Sequence, residues 1–323
     1  MHEEYEIVEH NQIRDMNIFL VEMTYRRPHL HREFEICMVL SGEVDIYTER
    51  KSYRFRRGGL MIFNPGQTHE IHAITENSLI LSLQAASGLF KRIYPDITSL
   101  RFDDVCISGG GYGEGVKGNE LRSLCRKLLE LSLTYLEKGD GYEFFCMSGF
   151  AEVFGRLMVS RPWHLISEKE KQDSLTKGER LKRILDYIEE NYTEKLLLSD
   201  IAETENLSVY YLSHFFKEML GMSFQDYLAV TRFETARRLV EHSDKSLTEI
   251  CLECGFSDYR YLNKIYQKQL GYTPMEYRRS HEILPPSTAE RADLIDTQRF
   301  FSDGDSVKLI NLSLQKYNQS TAN

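Results

Sequence analysis

Residues 198 to 227 and 247 to 277 carry one pattern twice. Leu198-Ser-Asp-Ile-Ala aligns with Leu247-Thr-Glu-Ile-Cys at an offset of 49. After one inserted residue, Tyr211-Leu-Ser-His-Phe-Phe aligns with Tyr261-Leu-Asn-Lys-Ile-Tyr at an offset of 50. The pairing continues through Gly221 and Gly271, Ser223 and Thr273, and Tyr227 and Tyr277. Such a repeat constrains the chain more than any single residue, because both copies must fold as the same supersecondary unit. Each copy reads as a short helix, a tight turn and a second helix.

In the second copy Ser246 and Glu249 form a capping-box pattern, Gly255 supplies the turn, Ser257 is placed to cap the next helix, and Gly271 to end it. Thr273-Pro274-Met275-Glu276 then starts another helix, with Pro at its first position. Leu262, Ile265 and Tyr266 fall on the buried face of the second helix, leaving Tyr259, Arg260, Asn263, Lys264 and Lys268 toward solvent. The first copy buries Leu212, Phe215, Phe216 and Met219 and exposes Tyr210, Ser213, His214 and Lys217. A helix-turn-helix unit lays its second helix in the major groove, where all four base pairs are distinguishable. Two units joined by a long helix, Phe224 to Glu241, have the reach for successive major grooves about 34 Å apart. The bland alternative is a helical bundle with a polar outer face, but the repeated caps favour double-stranded DNA as the partner.

Residues 176 to 281 resemble the DNA-binding domain of the AraC/XylS family of bacterial transcription regulators. The resemblance rests on Ile250-Cys-Leu-Glu-Cys-Gly-Phe-Ser-Asp-Tyr-Arg-Tyr-Leu-Asn-Lys-Ile-Tyr, on Leu270-Gly-Tyr-Thr-Pro-Met-Glu-Tyr-Arg278, and on the linker-helix pattern Thr231-Arg-Phe-Glu-Thr-Ala-Arg-Arg-Leu. Where the family tends to have Phe in the second copy, this chain has Leu262 and Tyr266. The resemblance implies base contacts from Tyr210, Ser213 and His214 and from Arg260, Asn263 and Lys264. It also implies an activator tendency, with RNA polymerase as a partner if the protein activates.

Net charge runs against that partner at first sight. The 323 residues carry 40 Lys and Arg against 49 Asp and Glu. Residues 176 to 281 hold 15 against 17, so affinity for phosphate must come from charge placed on one face, and is expected to be modest and salt-sensitive. No apolar run approaches a bilayer span, and the acidic start MHEEYEIVEH lacks signal-peptide character, which points to the cytoplasm and to no membrane partner. The six cysteines give no disulfide framework and are expected as free thiols. Cys251 and Cys254 form a C-x-x-C pair with no second pair nearby, so they read as core residues rather than metal ligands.

Upstream, Ile18 to Tyr25, Phe34 to Leu40, Val44 to Tyr47, Leu60 to Phe63 and Leu79 to Leu83 are short apolar or alternating runs. They are broken by Ser41-Gly42, Gly58-Gly59 and Asn64-Pro65-Gly66, a pattern that predicts an antiparallel sandwich or barrel over residues 1–105. The Gly-rich Val105 to Gly118 reads as a loop, and Gly109 to Gly115 lacks the strand and helix of a phosphate-binding turn. Glu120 to Glu137 and Phe144 to Val159 read as an amphipathic helical hairpin. Residues 106–160 are expected either to dimerise or to pack on the barrel; Leu121, Leu124, Leu128 and Leu131 supply the stripe for a homodimer. Residues 161–175 are read as a linker, with Thr176 and Glu179 capping the next helix, and residues 282–323 as a weakly ordered tail or small appendage. The chain is therefore expected to be multidomain α+β, a barrel with a helical hairpin followed by an all-α double helix-turn-helix.

Within the barrel segment, positions 29, 31, 33 and 35 share one face of a strand, bringing His29, His31 and Glu35 together, while Phe34, Ile36, Met38 and Leu40 face the other way. His69 joins from a later strand. Three imidazoles and a carboxylate suit Fe, Mn, Ni or Zn. The spacing resembles the first cupin motif, His29-x-His31 with Glu35 and Gly42, and the sensor domain of AraC-type regulators. The second motif, Pro65-Gly66-Gln-Thr-His69, is one residue short of the metal-binding form. In the sensors it resembles, such a cluster lines an effector pocket or hydrogen-bonds within the barrel more often than it holds metal. His29, His31, Glu35 and His69 are therefore assigned to a small-molecule effector, by resemblance a carbohydrate, with no cofactor and no catalytic residues. A metal-dependent cupin dioxygenase or isomerase is the alternative.

Overall fold

The computed structural model describes residues 13, 15–48, 51–108, 116–280 and 297–319. They divide into two compact units, one running to Gly178 and resuming at Gln298, the other from Glu179 to Thr297.

The first unit is built on strands β1 (Met16–His29), β2 (Glu33–Ser41), β3 (Glu43–Thr48), β4 (Ser52–Arg56), β5 (Leu60–Phe63), β6 (His69–Ala73), β7 (Ser78–Ala86), β8 (Leu100–Phe102) and β9 (Cys106–Ser108). The sheet runs β4-β3-β6-β1-β7-β2-β5-β9 with antiparallel neighbours and curls into a nearly closed barrel. Alternation along β2 sends Cys37 and Val39 into an apolar cluster with Val21, Val44, Ile46, Phe55, Phe63 and Ile80. Phe34, Ile36, Met38 and Leu40 point the other way, into a second cluster shared with the helices. Strands β2, β5 and β7 are thus covered on both faces, which is why their sequences are near-continuous apolar runs.

Helices α1 (Val116–Glu137) and α2 (Tyr142–Ser160) pack on that outer face. Leu124, Leu128 and Leu131 are buried there and Leu121 packs against the same cluster, so the stripe read as a dimer seam is already occupied within the chain. The segment read as a loop after Val105 instead supplies β9 before residues 109–115, and Gly109 to Gly115 lie outside the described residues.

Residues 161–175 are not a linker. Trp163–Leu165 forms β10 and pairs with β8, and the Trp163 indole donates to the Met158 carbonyl at 2.9 Å. Helix α3 (Glu168–Asn191) follows, opened by Ser167: its Oγ accepts from the Glu170 N–H at 3.2 Å, and its own N–H donates to Glu170 Oε2 at 2.8 Å. Thr176 is mid-helix, donating to the Gln172 carbonyl, so the cap placed there was one helical segment late. Both Ser167-x-x-Glu170 and Thr176-x-x-Glu179 fit the capping rule, and the helix opens at the first of them.

The tail is also corrected. Strand β11 (Thr297–Phe300) pairs with β1, and α10 (Asp303–Gln319) packs on α1. Ile310 and Tyr317 are buried in the same cluster as α1 and α2. The Phe301 N–H donates to the Leu20 carbonyl and Phe300 meets Phe19 edge-on at 5.4 Å, covering the part of β1 that β6 does not reach. Pro285 and Pro286 lie outside the described residues.

The second unit holds α4 (Leu198–Thr204), α5 (Val209–Leu220), α6 (Phe224–His242), α7 (Leu247–Glu253), α8 (Tyr259–Leu270) and α9 (Pro274–Ser280), with the end of α3. Among the described residues no helix is long and apolar enough to cross a membrane.

Candidate nucleic-acid interface and barrel site

Each repeat places its second helix by the same local devices. Ser208 Oγ accepts from the Tyr211 N–H at 3.1 Å to open α5, and left-handed Gly221 closes it. In the second copy the Ser246–Glu249 capping box is present in both directions, and Gly271 closes α8. The cap of α8 is Asp258, not Ser257: its carboxylate accepts from the Arg260 N–H at 2.7 Å.

The turns match too. Gly255 sits at φ +74°, and a Cβ there would lie 2.6 Å from the Thr193 carbonyl oxygen. The equivalent turn of the first copy uses Asn206 at φ +54°, a residue that tolerates the left-handed region.

Behind these helices lie two buried faces. Leu212, Phe215, Phe216 and Met219 hold α5, while Leu262 and Tyr266 hold α8 against Phe233, Ala236 and Val240 of α6. Arg237, buried on α6, lies 3.0 Å from Glu234 and 2.9 Å from Glu241, and the Tyr277 hydroxyl donates to the same Glu241 carboxylate. This network locks α6 to α9.

The opposite faces are open. Tyr210, His214, Lys217, Tyr259, Arg260, Lys264 and Lys268 are exposed, with Ser213 and Asn263 half-buried. An offset of 50 superposes 210, 213, 214 and 217 on 260, 263, 264 and 267, so the exposed Gln267, not Lys268, is the counterpart of Lys217. Sequence reasoning missed Gln267, although the repeat offset points to it. The Tyr210 and His214 rings meet edge-on at 4.5 Å, while Arg260 folds back on Asp258 at 2.9 Å. Such an exposed pair exchanges readily for an outside acceptor.

Cys251 and Cys254 are free thiols, as are the other four cysteines. Burial pushes the Cys254 thiol up to about 12, which disfavours the thiolate a metal needs.

In the first unit the structure brings His29, His31, Glu35 and His69 together by a different route from the one strand expected. His29 ends β1, His31 lies between strands and Glu35 is on β2; His29 and His69 are partners across the β1–β6 pair. The His31 and His69 side chains are fully buried. Glu35 Oε2 lies 2.8 Å from His31 Nε2 and 3.2 Å from His69 Nε2. Its Oε1 accepts from the Ser82 hydroxyl and from Gln84 Nε2 at 3.4 Å. Burial alone raises a carboxyl, but the hydrogen bond and charge of His31 outweigh it and hold Glu35 well below the usual carboxylate range. Burial, then the neighbouring His69, pushes His29 well below an ordinary imidazole. The ring of His69 stacks on Phe63 at 3.8 Å. Elsewhere a cleft of about 620 Å³ opens beside α1 and α2, lined by Leu121, Leu124, Ala151, Gly155 and Val159 with Arg156 at its edge.

Two family models match the chain, an AraC-like ligand binding domain over residues 21–154 and a helix-turn-helix domain over residues 201–280. An uncharacterized HTH-type transcriptional regulator of Staphylococcus aureus is 23% identical over 283 residues, covering 88% of this chain and 35% of that protein. The HTH-type transcriptional activator RhaS of Salmonella arizonae is 26% identical over 148 residues, covering 46% of this chain and 51% of that protein. This chain therefore spans about a third of the staphylococcal relative's length and half of the RhaS length. Among solved structures, the DNA-binding domain of AdpA in complex with a target DNA is 27% identical, with a TM-score of 0.30, covering 31% of this chain and 91% of that one.

Proposed function

The chain belongs to the AraC family of helix-turn-helix regulators, and from that premise we propose that it is a transcription regulator that reads promoter or operator DNA with α5 and α8 and answers to a ligand held by its barrel. The observation that carries the proposal is the pair of matched, solvent-facing helix surfaces, capped alike and 50 residues apart. On this reading Tyr210, Ser213, His214, Arg260, Asn263 and Lys264 are assigned to base edges, and Lys217 and Lys268 to phosphate. The barrel cluster is the proposed effector site, and binding there shifts the population of DNA-competent states. No reaction is proposed for the chain.

The proposal includes a homodimer and, if the protein activates, RNA polymerase as a partner. With the α1 stripe buried, Phe144, Phe145 and Val159 of α2 are exposed apolar side chains that a dimer could cover.

The roles separate in titrations of a fluorescent duplex against salt. Arg260→Ala and Lys264→Ala should weaken the preferred site roughly ten- to hundredfold while leaving random duplex little changed. Lys217→Ala and Lys268→Ala should weaken every sequence alike and lower the salt slope by about one. Equal losses on all sequences for both classes contradict the assignment.

A further inference from the structure

We infer that the cleft beside α1 and α2 binds a small apolar monocarboxylate, its carboxylate on the Arg161 guanidinium and its body on Ile107, Leu121, Leu124, Ala151, Gly155 and Val159. The cleft shares no residue with the barrel cluster or with the DNA-facing helices, so the inference stands apart from the regulator reading.

Arg161 is the unpaired charge of this cleft. It caps the C-terminus of α2 in extended conformation, its N–H donating to the Leu157 carbonyl at 2.9 Å, and the next carbonyl, that of Pro162, accepts from the Asp103 N–H at 3.1 Å. The backbone beneath the side chain is thus fixed on both sides. The Arg161 Nε is buried with no hydrogen-bond partner, and no carboxylate among the described residues pairs with the guanidinium. A helix C-terminus favours a cation there but does not satisfy a covered N–H donor. Leaving such a donor unmade costs free energy that an acceptor in the cleft would recover. Nε and the Nη beside it form an edge of the guanidinium that takes both oxygens of one carboxylate.

The other charges leave an excess of one. Glu152 Oε1 accepts from Arg156 Nη2 at 2.8 Å, and Glu152 Oε2 lies 2.8 Å from Lys127 Nζ. Lys127 and then Arg156 hold the Glu152 carboxyl below the usual carboxylate range. Glu120 is exposed at the rim. Arg156, Arg161 and Lys127 therefore face two carboxylates, which suits one further negative charge and opposes two.

The walls suit an apolar body. Ile107 and Leu124 are buried in the cluster shared by sheet and helices, so the floor is formed before anything binds, while Val159 is almost fully exposed. Ala151 and Gly155 lie about one turn apart on α2, and a Cβ at Gly155 would meet nothing within 4 Å, which keeps the cleft open on that side. A volume of about 620 Å³, apolar walls and one unpaired charge are the usual build of a small-molecule site.

Isothermal titration of the full chain with cinnamate and with adamantanecarboxylate tests this, one acid being planar and the other globular. At least one should saturate at one equivalent and raise the melting temperature of the first unit, and its neutral amide should bind at least about tenfold more weakly. Arg161→Gln should weaken the acid about ten- to a hundredfold and change the amide little, a split that a merely structural role would not produce. Gly155→Leu should abolish binding by filling the cleft while holding or raising the melting temperature, since Leu favours helix over Gly. No saturable binding below about 1 mM in the folded wild type overturns the inference; if that chain is dimeric in sedimentation, the cleft belongs to a second copy. Binding that survives Gly155→Leu overturns it as well and places the acid elsewhere in the chain.

Discussion

His29 and His69 face each other across the β1–β6 pair with ring centroids 4.1 Å apart, at the end of a 14-residue strand whose other half pairs with β7 and β11. Two imidazoles this close, with His31, Arg26 and Glu35 also facing them, make the barrel sensitive to acid. Burial and then His69 hold the His29 pKa well below its ordinary value near 6.5, so the unfolded chain takes up that proton first. The stability this represents is complete above about pH 6.5 and is lost as pH falls below it. Glu35, held below its ordinary value near 4.5, adds a second loss at lower pH. The melting temperature of the first unit should fall between pH 7 and pH 5, and His29→Gln should remove that first stage. A flat profile from pH 7 to pH 5 in the wild type contradicts this reading.

The two turns of the repeat should respond differently to substitution. Gly255→Ala puts a Cβ 2.6 Å from the Thr193 carbonyl oxygen and 2.7 Å from that of Tyr192, in a left-handed backbone. A cost of about 2 kcal/mol or more is expected from conformation and contact together. Asn206→Gly keeps the left-handed turn and should shift stability by no more than a few tenths of a kcal/mol. Chemical denaturation of the two variants checks the contrast, and similar losses would contradict it.

The segment after the second unit belongs to the first. Ile310 has no exposed surface, so Ile310→Ala should cost about 2–5 kcal/mol and lower the melting temperature of the barrel unit by several degrees. Removing residues 297–323 uncovers the same face of α1 and the edge of β1, and should cause aggregation on size-exclusion chromatography. An unchanged melting temperature for both changes would show that β11 and α10 do not hold the unit.

The Glu234–Arg237–Glu241 network should be intolerant of partial removal. Arg237→Ala removes the guanidinium from the buried Glu234 and the half-buried Glu241, which is expected to cost about 3 kcal/mol, whereas Tyr277→Phe loses one hydrogen bond and about 1–2 kcal/mol. Equilibrium unfolding of the two variants orders them.

The repeat was legible because its determinants are local: caps, turn residues and a 3.6-residue period all lie within a few positions of the helix they define. The strands covered on both faces showed as apolar runs for the same reason. Strand β4 did not show, because only Phe55 of Ser-Tyr-Arg-Phe-Arg is buried and Arg54 and Arg56 serve exposed pairs with Asp45 and Glu43. The barrel cluster was found with the right residues on the wrong geometry: alternation along one strand gathers His29, His31 and Glu35, but the chain turns after His29 and strand pairing gathers them instead. What sequence pattern alone did not contain was the return of β11 to β1, whose partners are nearly the whole chain apart.

Whether the two repeated helices read DNA is decided by selecting bound fragments from a random duplex library with the purified chain. A His214→Ala, Lys264→Ala double variant is run beside it. The expected result is a motif of two short blocks about one helical turn apart, recovered with the wild type and lost with the variant. No enriched motif at low salt, or the same motif recovered undiminished with the variant, would contradict it.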